Sequence, residues 1–215
     1  MTIHIYGVTF STCTRRVAAV AKEVGVEYVL HPIDFSKGEH KAPAFLEHQP
    51  FGQVPYIVDD ANDNFELYES RAIGRYLVQQ YGAKSGLIPT DAKKLAKFEQ
   101  AASVEASNFD VHAATIAFEK VFAPMLGLTA NEETLAKHVG LLNAKLEAYE
   151  VILSKSKYLA GDEITLADIF HLPYGYVVAN AGFADTLVNE KRPNVTRWWN
   201  EIVSRPAWQA VKDGA

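Results

Sequence analysis

A serine at the start of a helix can hold an anion, and Ser11 in Phe10-Ser11-Thr12-Cys13-Thr14-Arg15-Arg16-Val17 occupies such a place. The segment follows the short apolar run Ile3-His4-Ile5-Tyr6-Gly7, and after it Val17, Val20, Ala21 and Val24 share one helical face. The pattern reads as strand, turn, helix, with Ser11 beside the helix N-terminus. There the unpaired backbone N–H groups and the positive end of the helix dipole favour negative charge. A hydroxyl adds a donor to that field. Taken alone, the same serine reads as an ordinary helix cap. Nucleophilic serine chemistry is not indicated, because no G-x-S-x-G elbow occurs and His4, His31 and His40 cannot be set against Ser11 from sequence.

The elements that must position this serine alternate. Glu27-Tyr28-Val29-Leu30 is a β-like run that closes a βαβ unit, so its strand should lie parallel to the first. The polar segment from Asp34 to Lys41 reads as a loop. Tyr56-Ile57-Val58 and Phe65-Glu66-Leu67-Tyr68 flank the turn-rich run from Asp59 to Asn64 and make a hairpin. Glu69-Ser70 then opens a helix carrying Ile73, Tyr76 and Leu77. Residues 1–82 thus form a small α/β sheet domain, 83–90 a linker containing Gly, Ser and Pro, and 91–215 an all-α domain.

In the helical part, the spacing predicts one long helix from Lys93 to about Phe122, with Leu95, Phe98, Phe109, Ile116 and Val121 inside, ended by Pro124. A second stripe, Leu135, Val139, Leu142, Leu146, Tyr149 and Leu153, is a bundle face. Thr165-Leu166-Ala167-Asp168 has the form of a capping box, which gives Asp168 a structural role rather than a catalytic one. Trp198, Trp199 and Trp208 read as packing aromatics.

The chain has 215 residues, 48% of them hydrophobic, which is ample for a core. Its formal net charge of -5 argues against nucleic acid as the main partner. A single cysteine, Cys13, excludes an internal disulfide framework, and no paired Cys/His spacing suggests a metal. No signal peptide and no run of about 18 apolar residues is visible, so a cytoplasmic protein without a membrane partner is expected.

Five segments in register carry a resemblance: Ser11-Thr12-Cys13-Thr14-Arg15-Arg16-Val17, Gly38-Glu39-His40-Lys41, Pro50-Phe51-Gly52-Gln53-Val54-Pro55, Glu69-Ser70-Arg71-Ala72-Ile73, and Tyr158-Leu159-Ala160-Gly161 followed by Thr165-Leu166-Ala167-Asp168. Together they resemble the glutathione transferases, most closely the phi class, over nearly the whole chain. The resemblance implies a thioredoxin-like N-terminal domain and an all-helical C-terminal one. It implies glutathione as co-substrate, with no further cofactor and no metal, an apolar electrophilic second substrate, and a homodimer in which Phe51 is a knob inserted into the partner.

Carried over by position, the resemblance implies that Ser11 stabilises the glutathione thiolate, beside Thr12. His40 and Lys41 would hold the glycine carboxylate, Gln53 and Val54 the peptide backbone, and Glu69 and Ser70 the γ-glutamyl end. The bond before Pro55 would be cis. Phe10, Thr12, Phe35, Phe118, Phe122 and Tyr174 would line the electrophile pocket. Conjugation, with hydroperoxide reduction as a further activity, is the function implied. A ligandin-like carrier of apolar compounds and a thiol transferase acting through Cys13 are the alternatives, and Cys13 by itself reads as a buried small hydrophobe.

Overall fold

The computed structural model describes residues 2–215. Contacts divide the chain into two units, Met1–Ile88 together with Pro206–Ala215, and Pro89–Arg205.

In the first unit, β1 (Ile3–Gly7), β2 (Tyr28–Pro32), β3 (Tyr56–Asp59) and β4 (Phe65–Tyr68) form one sheet of order β2-β1-β3-β4. β1 runs parallel to β2 and antiparallel to β3, and β3 and β4 form the hairpin. Its turn places Asp63 and Asn64 at φ 54° and 56°, the left-handed geometry that tight hairpins favour. α1 (Thr12–Glu23) and α3 (Ser70–Tyr81) pack against each other. Ile3 and Ile5 alternate inward along β1 and, with Ile57, Val17, Val20, Ile73 and Leu77, are fully buried.

The segment read as a loop after β2 is ordered as two 3-10 turns, Phe35–Lys37 and Glu39–Lys41, followed by the short α2 (Pro43–Leu46). Asp34 organises it. Its carboxylate accepts from the Ser36 N–H at 2.9 Å and hydroxyl at 2.6 Å and pairs with Lys37 at 3.0 Å. The Ser36 hydroxyl first, and then Lys37, hold that carboxyl down to about 2.

The second unit is helical: α4 (Ala92–Val104), α5 (Val111–Ala117), α6 (Ala123–Met125), α7 (Glu132–Leu153), α8 (Leu166–Phe170), α9 (Leu172–Val178), α10 (Ala184–Leu187) and α11 (Pro193–Val203). The long helix expected over 93–122 is interrupted by π-helical turns at Glu105–Asp110 and Phe118–Phe122. Each π turn adds a residue and moves the apolar stripe off a constant pitch. Accordingly Phe98, Phe109 and Ile116 are buried, whereas Val121 is only half-buried and Leu95, in the first turn, is exposed. The helical run also passes Pro124 and stops one residue later, at Met125. Along α7 the expected stripe is buried except for half-buried Val139.

Asp168 caps α8 by accepting from the Thr165 N–H at 2.9 Å and hydroxyl at 3.0 Å, and it also takes Leu159 N–H at 3.1 Å and Trp198 Nε1–H at 2.9 Å. Burial drives its carboxyl upward and these donors oppose the shift. Among the described residues no helix is long and apolar enough to cross a membrane.

The last ten residues, expected within the helical domain, group instead with the sheet unit. Trp208, on α12 (Pro206–Gln209), lies under the Arg15 guanidinium at 5.9 Å. Arg15 Nη1 donates to Lys212 O at 2.5 Å, and Ala215 N–H donates to Thr9 O at 3.0 Å. The tail therefore braces the β1–α1 turn from which Ser11 projects.

Candidate active site

Strand register gathers the residues singled out in the sequence at one end of the sheet. His31 pairs with Tyr6, Tyr6 with Tyr56, and Tyr56 with Tyr68, so these positions form one row, with the Gly7–Pro32 pair one step beyond it. The chain leaves this row toward Ser11 after β1, toward Phe35, His40 and Lys41 after β2, and toward Glu69 and Ser70 after β4. It enters β3 there from Gln53 and Val54. Four separate stretches of sequence thus converge because one strand pair is parallel and two are antiparallel.

Ser11 is the N-cap of α1, with φ -62° and ψ 129°, and its Oγ accepts from Thr14 N–H at 3.3 Å. Capping uses a lone pair of the hydroxyl and leaves its proton to donate. Ser11 is half-buried and Thr12 is buried behind it. Close approach of α1 to the sheet depends on Gly7, where a Cβ would sit 2.6 Å from Thr14 Oγ1 and 3.3 Å from Pro55 Cβ. The Val54–Pro55 bond is cis, as the resemblance implies.

Ser70 is the first residue of α3 and is 5% exposed. Glu69 before it is exposed and takes φ 70°, a conformation disfavoured for any side-chain-bearing residue and found where a structure over-determines it, often at functional sites. α1 has no acidic residue in its first turn, so its dipole offers an uncancelled positive end, whereas the N-cap of α3 is Glu69, which sets a carboxylate beside that helix end.

On the other side of the row, Lys41 Nζ donates to Phe51 O at 3.0 Å and Gly52 O at 2.9 Å, tying the 3-10 turn to the segment that carries Gln53. Gly52 has φ 61°, and a Cβ there would meet His40 O and Lys41 Nζ at 2.7 Å, so the contact requires glycine. His40 stacks on Phe35 with centroids 4.1 Å apart. Its Nδ1 is buried without a hydrogen-bond partner among the described residues. Burial, followed by the Lys41 charge, pushes its imidazole below the usual 6.5. Gln53 is exposed and Val54 half-buried.

Of the aromatic candidates in the sheet unit, Phe10 is exposed and Phe35 is exposed beyond its stack. In the helical unit, Phe118 and Phe122 bound one π turn and Tyr174 lies on α9, all at least partly accessible. Cys13 is half-buried rather than buried, since it lies in the first turn of α1 beside the site end instead of on the face packed on the sheet. One residue was missed. Arg16 was quoted in the motif without a role, yet it is fully buried and its Nη1 donates to Ser70 Oγ at 2.8 Å and to Cys13 Sγ at 3.6 Å. Nothing in helical spacing distinguishes it from its neighbour Arg15.

Comparison with known proteins identifies the family. Residues 1–79 match the model of the glutathione S-transferase N-terminal domain, and residues 110–206 that of the C-terminal domain. The chain belongs to the glutathione transferase family, and to its phi class. It is 52% identical over 202 residues to glutathione S-transferase PM239X14 of Arabidopsis thaliana, covering 93% of this chain and 90% of that protein. With glutathione S-transferase F9 of the same plant it shares 36% identity, covering 97% and 95%. Among solved structures, glutathione transferase F7 from Populus trichocarpa superposes with a TM-score of 0.90 at 36% identity, covering 97% of each chain. A maize glutathione S-transferase I in complex with an atrazine glutathione conjugate superposes at 0.89 with 33% identity, covering 98% and 96%. The sheet and helical units are thus the thioredoxin-like and all-helical domains of this transferase fold.

Proposed function

We propose that this transferase conjugates glutathione to apolar electrophilic compounds, with Ser11 holding the glutathione sulfur as a thiolate. The reading is carried by one observation: Ser11 caps α1 through an oxygen lone pair, which keeps its proton available to a ligand at the end of the sheet where all four strands deliver polar residues.

The ligand's chemistry suits these residues. Ser70 offers a hydroxyl and a helix-terminal N–H to the γ-glutamyl carboxylate, and Glu69 a negative charge to its ammonium. Val54 and Gln53 meet the peptide backbone, in the manner of an added strand. An ammonium has three donors, so Lys41, which uses two on Phe51 O and Gly52 O, keeps one for the glycine carboxylate beside His40.

A free thiol of pKa about 8.5 is only about 3% thiolate at pH 7. Lowering it by about two units takes about 2.7 kcal/mol. A charge-assisted hydrogen bond contributes ~1.5–3 kcal/mol, and a helix N-terminus adds ~0.3–1 kcal/mol, rising to ~2 kcal/mol in a partly buried site. Ser11 and α1 are therefore sufficient, and solvent carries the proton away. The thiolate then attacks an electrophilic carbon, the carbon–sulfur bond forming as the leaving group departs with its electron pair. With an organic hydroperoxide the sulfur attacks the terminal oxygen. The O–O bond breaks, the alcohol leaves after protonation, and a second glutathione converts the sulfenic product to the disulfide and water. Such chemistry is detoxifying. Each unit offers accessible aromatic surface that suits an apolar second substrate, Phe10 and Phe35 in the sheet unit and Phe118, Phe122 and Tyr174 in the helical unit, and the lone Cys13 is consistent with a reducing cytoplasm.

The same reading makes the protein a homodimer. Phe51 is 64% exposed, and the helical unit has a cavity of about 320 Å³ with an apolar wall of Ala101, Val104, Val151, Ile152 and Leu159 and a polar edge that includes Lys97, Gln100, Lys155 and Ser156. An exposed phenyl ring and an apolar-walled cavity on the same chain are the two halves of an isologous contact, each copy giving a ring and receiving one.

Replacing Ser11 by Ala tests the mechanism. Glutathione affinity should change little, while conjugation of an activated haloaromatic falls at least tenfold; an unchanged rate would remove Ser11 from the chemistry.

A further inference from the structure

We propose that Arg16 is a positioning residue for the γ-glutamyl end of glutathione, acting through the hydroxyl of Ser70. The proposal rests on the reading of the glutathione site given above and extends it to a residue that touches no part of the ligand itself.

Arg16 is among the largest fully buried side chains of the chain, in the second turn of α1. A guanidinium loses its hydration on burial, and an apolar side chain would fill the same volume without that loss. Its hydrogen bonds give the charge a use. Nη1 lies 2.8 Å from Ser70 Oγ, the first side chain of α3, and 3.6 Å from Cys13 Sγ, in the first turn of α1. Arg16 thus ties together the two helix N-termini that face the site.

The consequence for Ser70 follows from donor counting. A guanidinium only donates, so Ser70 Oγ must accept from it and cannot give its own proton back. Ser70 also opens its helix, so it has no helical carbonyl four residues earlier to take that proton. Its proton is therefore left for an acceptor brought up to the start of α3, such as a ligand carboxylate beside the N–H groups of that first turn.

Glutathione kinetics of Arg16→Lys, Ser70→Ala and the double variant test the proposal. Lysine keeps the charge but not the planar fork. Arg16→Lys should raise the KM for glutathione about tenfold, with kcat at saturating glutathione within about twofold of the parent. In the Ser70→Ala background the same change should add less than twofold, because the hydroxyl it orients is gone. S-hexyl cysteinylglycine lacks the γ-glutamyl carboxylate, and its inhibition constant should not respond to Arg16→Lys, whereas that of S-hexyl glutathione should weaken about tenfold. Should lysine lower the folded yield, Arg16→Gln repeats the comparison without the charge. Additive effects of Arg16 and Ser70, or equal weakening of both inhibitors, would make Arg16 a packing residue only and overturn the proposal. If Ser70→Ala itself leaves KM unchanged, the assignment of the γ-glutamyl site fails and the proposal with it.

Discussion

His40 has a partly desolvated ring next to a lysine, and both conditions favour its neutral form. In the folded chain its pKa lies below 6.5, so the unfolded state binds more protons there and acidification through this range removes stability. A glycine carboxylate docked there, as the proposed site requires, would reverse the balance by favouring the imidazolium. Binding of S-hexyl glutathione near pH 6 should therefore take up a fraction of a proton, and affinity should rise as pH falls below 6.5. Titration calorimetry in two buffers of different ionisation heat measures the uptake, which His40→Asn should abolish. Equal heats in both buffers would separate His40 from the carboxylate. At this scale Ser11 and the Thr165-to-Asp168 cap are legible in the sequence because a cap needs only residue type and a spacing of three. Arg16 is not, because its meaning lies in Ser70, a residue 54 positions away.

The sheet and its turns follow from local pattern, but their convergence on one end depends on register, which no single stretch encodes. Helix phase is the least legible feature. The two π turns at Glu105–Asp110 and Phe118–Phe122 shift the apolar stripe without any proline or glycine to announce them. The α8 cap is the contrary case, a local signal that also closes tertiary contacts to Leu159 and Trp198. Asp168→Asn would present an amide N–H₂ to donors in a fully buried site. It should destabilise the protein by about 3 kcal/mol, seen as a lower urea midpoint. A midpoint within experimental error of the parent would mean that these hydrogen bonds contribute little.

Across the whole molecule, the resemblance and the family matches span both units, while the grouping of Pro206–Ala215 with the sheet unit had no signature in composition. Only the contacts of Trp208, Lys212 and Ala215 with the β1–α1 region disclose it. Assembly is testable at the same scale. Removing a buried aromatic knob from an interface typically costs about 2–4 kcal/mol. Phe51→Ala should shift sedimentation from dimer toward monomer at micromolar concentration. An unaltered dimer would place the interface elsewhere.

The central claim concerns the sulfur, and the ultraviolet absorbance of the thiolate reports it directly. Titrated in the complex, glutathione should ionise about two units below the ~8.5 of a free thiol, and Ser11→Ala should return most of that shift. The same ionisation in parent and variant, with glutathione bound to both, would contradict the account.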